Sequence, residues 1–148
     1  MAMYLDTGIL VKLLTPELET AFFERELQGH SLVTSELALV EVQSALFSKE
    51  RAGRITAAQR KQAEAKFAQM IEDEILELGD LNHRTLRKAT QIIAGCPPQV
   101  PLRALDALHV ATSDLLQEFP LCTTDARMHA VARALHIRVF PDILPLKN

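Results

Sequence analysis

Tryptophan is absent from this 148-residue chain, tyrosine occurs once, and aromatic residues make up only 5%. That is too few for a dedicated platform on which single-stranded bases stack. Cysteine occurs twice, at Cys96 and Cys122, without a Cys-x-x-Cys spacing. This excludes the common zinc patterns and a disulfide framework, and the two residues read as free thiols in a reducing compartment. No window approaches the roughly 18 uncharged apolar residues of a membrane span. The N-terminus has neither the basic region nor the long apolar run of a secretion signal. The chain is therefore expected to be cytoplasmic, with no membrane partner. A large charge excess is missing too: the formal net charge is −3, which argues against nucleic-acid binding driven by bulk charge but leaves room for a local basic patch. Neither a P-loop nor a Ser-His-Asp or Cys-His set stands at a convincing spacing.

What is present is a hydrophobic fraction of 48%, enough for one domain over residues 1–148 with its own core. Short apolar runs alternate with helical segments. Strands are expected at 2–5, 31–34, 121–123 and 137–140. Residues 75–78 read either as a strand or as the tail of the preceding helix. Helices are expected from Ile9, from Pro16 to about Leu27, from a Ser35 cap to about Lys49, from Thr56, from an Asn82 cap to about Ala94, over 102–116 and over 125–135. Gly29 and Gly53 read as helix ends, and Gly95–Pro101 as a rigid loop. Alternating strands and helices imply a parallel sheet with helices on both faces.

Four acids stand out in this layout. Asp6 and Asp125 each follow a strand and open a helix, where ligands bind in open parallel sheets; each is equally a natural helix cap. Glu41 lies in LALVEVQSALF, residues 37–47, where its neighbours offer no wide polar face. A carboxylate so placed needs a cation, a proton or a metal. Asp106, in LRALDALHVATS, faces the same choice, with Arg103 or His109 as a local partner. If the four converge, something positive must hold them together. Carboxylates without Cys or paired His suit Mg²⁺ or Mn²⁺. Thr7 and Thr124 adjoin two of the acids and could orient a carboxylate or a water. Lys12, Lys49, Arg51 and Arg54 are candidate phosphate contacts or solvated surface cations. Phe22, Phe23, Phe47 and Phe67 read as core or interface.

The segments YLDTGILVKLL, TSELALVEVQSAL, RALDALHVATS and CTTDARMHAVARALHIRVF, in that order, resemble the PIN domain family, and within it the VapC-type toxin ribonucleases. The resemblance implies a Rossmann-like, three-layer α/β/α sandwich around a central parallel sheet. It implies a Mg²⁺- or Mn²⁺-dependent endoribonuclease in which Asp6, Glu41, Asp106 and Asp125 are the acidic quartet and Thr7 is the hydroxyl residue after the first acid. Gly8 departs from the Ser or Asn frequent at that position. RNA as substrate, a small antitoxin as partner and a homodimer are likewise implied. A non-catalytic binding module on the same fold and a nuclease acting on DNA are the rival readings.

Overall fold

The computed structural model describes residues 2–146. Five strands, β1 (Met3–Leu5), β2 (Leu32–Ser35), β3 (Leu76–Gly79), β4 (Leu121–Cys122) and β5 (Val139–Phe140), form one sheet in the order β3-β2-β1-β4-β5. Every pairing is parallel. The helices between them are α1 (Thr7–Leu14), α2 (Thr20–Leu27), α3 (Ala38–Arg51), α4 (Ala57–Glu72), α5 (His83–Gly95), α6 (Ala104–Leu116) and α7 (Ala126–Ala134).

Strand periodicity divides the core in two. Met3 and Leu5 pack into one apolar cluster with side chains of α1 to α4, while Tyr4 packs into the other with side chains of α5 to α7. Leu32 and Val33 split in the same way, as do Cys122 and Leu121. This is the alternation a strand imposes when helices cover both faces of its sheet. The expected three-layer α/β/α sandwich is thus observed. Among the described residues no helix is long and apolar enough to cross a membrane, and Cys96 and Cys122 are free.

Several local expectations hold. Asn82 and Thr56 cap α5 and α4, Thr56 as half of a capping box with Gln59. Gly29 and Gly53, with φ of +79° and +72°, follow α2 and α3 in the left-handed region. The ambiguous segment at 75–78 is a strand, paired with β2 over four residues. Others are corrected. Pro16 does not open a helix; α2 starts at Thr20, because the Thr20 hydroxyl accepts from the Glu17 amide and donates to the Lys12 carbonyl, making a turn of the intervening residues. Ser35 does not cap α3. It ends β2, and its hydroxyl accepts from the Leu37 amide, capping a turn ahead of the helix.

Gly79 marks a close approach of β3 to α6. A Cβ there would lie 2.6 Å from Leu116 Cδ1, 3.1 Å from Thr112 Cγ2 and 3.3 Å from the Thr34 carbonyl oxygen. Leu116, at an exposed helix end, can move aside; the Thr34 backbone cannot. Gly79→Ala is therefore expected to destabilise the protein by about 1 kcal/mol, the low end of the overpacking range. A lower denaturant midpoint at constant m-value is the readout, and an unchanged midpoint would contradict the steric argument.

Candidate active site

The sheet order reverses between β1 and β4, and the carboxyl ends of those two strands open into a cleft of about 710 Å³. Its walls include Asp6, Thr7, Glu41, Asp106, Thr124 and Asp125. All six residues singled out in the sequence therefore face one space, the position expected for a ligand site in an open parallel sheet.

The helices explain how so many acids are tolerated there. Asp6 is the N-cap of α1 and Asp125 the N-cap of α7; Glu41 and Asp106 lie in the first turns of α3 and α6. Four helix N-termini, each carrying partial positive charge and unpaired amides, converge on the cleft. Capping and membership of the site are thus not alternatives. Asp6 Oδ1 accepts from the Ile9 amide at 2.9 Å, and Asp125 Oδ1 accepts from the amides of Arg127 and Met128.

Asp6 is almost fully buried. Burial drives its carboxyl above the usual range, against the hydrogen bond from Thr123, the positive influence of His109 and the Ile9 amide, with Asp125 adding to the rise. Thr123 joins the two strand ends: its hydroxyl donates to Asp6 Oδ2 at 2.5 Å and accepts from the Asp125 amide at 3.0 Å. Thr123, one residue before Thr124, thus orients a carboxylate of the site, and Thr124 lines the cleft wall.

Glu41 is not enclosed by apolar neighbours as its sequence context implied. The buried stripe of α3 is Ala38, Val42 and Leu46; Val40, Ser44 and Ala45 turn with Glu41 toward the cleft, and Val40 is 70% exposed. What holds Glu41 is a chain of hydrogen bonds. Its Oε1 lies 2.6 Å from His109 Nε2 and accepts from the Thr7 hydroxyl at 2.8 Å. His109 Nδ1 in turn lies 2.8 Å from the hydroxyl of the fully buried Tyr4. Nε2–H donates to Glu41, and the Tyr4 hydroxyl, which can donate or accept, pairs with Nδ1 whether the imidazole is neutral or charged. Burial alone would raise the Glu41 carboxyl; the hydrogen bond and charge of His109, helped by Thr7 and Arg103, outweigh it and hold the group below its usual range.

The sequence offered Asp106 two local partners, Arg103 and His109, and the structure gives it the first, whose Nε lies 3.2 Å from Oδ2. His109 turns away from Asp106 and reaches inward to Tyr4 and Glu41. A buried imidazole in an apolar helix needs polar partners, and that requirement was the signal in the sequence. Of the two readings open for Lys12, Lys49, Arg51 and Arg54, phosphate contacts or surface cations, the structure favours the second, since none of them lines the cleft. Lys12 and Lys49 both pair with Glu17, at 3.6 and 3.5 Å, and Arg51 stands over the Phe47 ring. Phe23 and Phe67 are core residues, and Phe22 packs against their cluster.

The PIN domain family model matches residues 3–134. The chain belongs to the PIN domain family. As a PIN domain it is similar in structure to VapC20 of Mycobacterium tuberculosis, described as a sarcin-ricin loop cleaving toxin, with 14% identity, a TM-score of 0.69 and coverage of 87% of this chain and 94% of that one. It is also similar to a chain in the VapBC2 complex of Rickettsia felis bound to a promoter DNA fragment (15% identity, TM-score 0.66, 94% and 97% covered). A third neighbour comes from FitAcB of Neisseria gonorrhoeae (14% identity, TM-score 0.65, 93% and 96% covered). No curated protein sequence matches the chain.

The donor set suits a hard divalent cation, since every acid brings carboxylate oxygens and the buried Asp6 lacks a full counter-charge. Among the described residues no three of His, Cys, Asp and Glu are grouped closely enough to hold one ion; the Arg103 guanidinium stands between Asp106 and Asp125.

Proposed function

We propose that this PIN domain is a metal-dependent endoribonuclease and the toxin of a toxin–antitoxin pair. The observation that carries this reading is the convergence of Asp6, Glu41, Asp106 and Asp125, from four separate elements, on one cleft at the switch point of the sheet. Asp6, Asp106, Asp125 and Glu41 are the residues that would hold Mg²⁺ or Mn²⁺. Such an ion supplies an activated water and positive charge against the developing charge of the phosphodiester. The protein's own share is positioning. Thr123 and the Ile9 amide fix both oxygens of Asp6. His109 and Thr7 fix one oxygen of Glu41, Oε1, on the cleft wall. The four helix N-termini favour anions, including an incoming phosphate.

RNA as the substrate and products with 5′-phosphate and 3′-hydroxyl ends follow from the likeness to VapC-type proteins. So do a homodimer, cytoplasmic location and an antitoxin partner. The antitoxin fits the rim of the cleft, where Val40 and Leu105 are 70% and 46% exposed beside the acids. Exposed apolar side chains around a charged cleft suit a partner segment that covers both.

The test is to incubate purified, partner-free protein with total cellular RNA and with single-stranded DNA, in Mg²⁺, in Mn²⁺ and in EDTA. Discrete RNA fragments with 5′-phosphate ends, formed in either metal and absent in EDTA, are expected. Absence of cleavage by the folded protein would favour the binding-module reading. Cleavage of DNA alone would move the activity to that substrate, and cleavage that persists in EDTA would remove the metal from the mechanism.

A further inference from the structure

Among the described residues Arg103 is the one lysine or arginine that lines the cleft. It stands at the N-cap of α6, but its side chain makes no capping bond, so the guanidinium is available to its surroundings. Nε lies 3.2 Å from Asp106 Oδ2 and Nη2 lies 3.7 Å from Asp125 Oδ2, while the side chain stays 64% exposed. A single cation thus bridges the first turn of α6 and the cap of α7. Two carboxylates facing one space repel each other, and a guanidinium between them competes with any other cation for the same oxygen lone pairs. The contact is also easily exchanged, because an exposed ion pair on a long arm holds weakly.

We propose that Arg103 is an internal counter-ion that keeps Asp106 and Asp125 together, yields their oxygens to a divalent cation, and then serves as the phosphate contact of the cleft. The proposal rests on the metal-dependent reading above. The planar guanidinium, with its fork of N–H donors, matches a phosphate as well as it matches a carboxylate. No other lysine or arginine among the described residues stands at the cleft to take that part, since Lys12 and Lys49 are held by Glu17. Arg127 also approaches Asp125, at 4.0 Å, but it touches one acid only and does not line the cleft.

The two halves of the proposal pull a single substitution in opposite directions. In Arg103→Gln, Mn²⁺ titrated into the protein at low salt should bind about threefold or more tighter, because a competing cation of exposed-pair strength is gone. The KM for RNA in saturating Mn²⁺ should rise severalfold. Arg103→Lys should fall between the variant and the wild type in both measurements, and Arg127→Gln should change each less than Arg103→Gln does. General damage to the site would weaken both, so opposite signs identify the role. Unchanged or weaker Mn²⁺ binding in Arg103→Gln overturns the counter-ion, and an unchanged KM overturns the phosphate contact. If the wild type binds no Mn²⁺, the metal-dependent reading falls along with the proposal; wild-type binding that the substitution leaves unaltered sinks the proposal alone.

Discussion

Asp6→Asn is expected to lower RNA cleavage on the order of a thousandfold, the scale of losing one preorganised electrostatic group, and at the same time to raise the melting temperature of the metal-free protein above neutral pH. The two effects have one cause. Asp6 is buried, and burial raises its carboxyl pKa in the fold. The folded state therefore binds that proton more tightly than the unfolded chain does. Its contribution to stability is full below the unfolded pKa and is lost as pH rises through the folded pKa. Asparagine has no such proton to lose. It caps a helix about as well as aspartate, so the bond from the Ile9 amide to the side-chain oxygen can persist. The Thr123 hydroxyl, which donates to Oδ2, can accept from the new amide instead.

Thermal melts in EDTA across the pH range should therefore show the variant more stable at high pH and the difference vanishing at low pH. Mg²⁺ should raise the melting temperature of the wild type and do little for the variant, because only the wild type gains by ligand linkage. Retained cleavage would remove Asp6 from the site. A variant less stable than the wild type at every pH would show that the carboxylate is a stabilising cap rather than a strained functional group.

Asp6 also shows what the sequence made legible. The strand–turn–helix around it places an acid at a strand end, and the same pattern around Asp125 places a second, which is enough to anticipate a site between them once the sheet is known to be parallel. The layers followed from alternating strands and helices for the same reason. Glu41 was found through an argument that is only partly right. A lone acid among apolar residues does demand a partner, but two of those residues, Val40 and Ala45, border the cleft rather than the core. Burial of a helix face depends on what packs against it, and α3 packs along the stripe of Ala38, Val42 and Leu46. Thr123 escaped notice because a hydroxyl at a strand end has no periodic signature, and its value lies in joining β1 to a residue 117 positions away in the chain. Arg103 was visible only as a partner for Asp106; its second contact, to Asp125, depends on how α6 and α7 meet.

Removing the imidazole of His109 should cost activity by roughly 10- to 100-fold, the range for groups that orient metal ligands, and should move the acid limb of the pH–rate profile upward. His109 is buried and connects the Tyr4 hydroxyl to Glu41 Oε1. In the wild type, burial works to raise the Glu41 carboxyl, and His109, through its hydrogen bond and its charge, is the main reason the group stays below its usual range. Take His109 away and burial dominates, so Glu41 holds its proton to higher pH and the ionised form needed at the cleft is lost earlier as pH falls. His109→Leu also leaves Tyr4 without its partner, an added cost to stability of about 1–3 kcal/mol for a buried unsatisfied group. A general loss of folding must be separated from the loss of Glu41 orientation, and His109→Gln does so: its amide can donate to Glu41, and it should recover part of the activity and part of the shift in the acid limb. Tyr4→Phe keeps the Glu41 contact and should leave the acid limb nearer its wild-type position than His109→Leu does. If His109→Leu is folded, fully active and unaltered in its pH profile, Glu41 is held by Thr7 alone, and the imidazole is no more than a satisfied polar residue of the core.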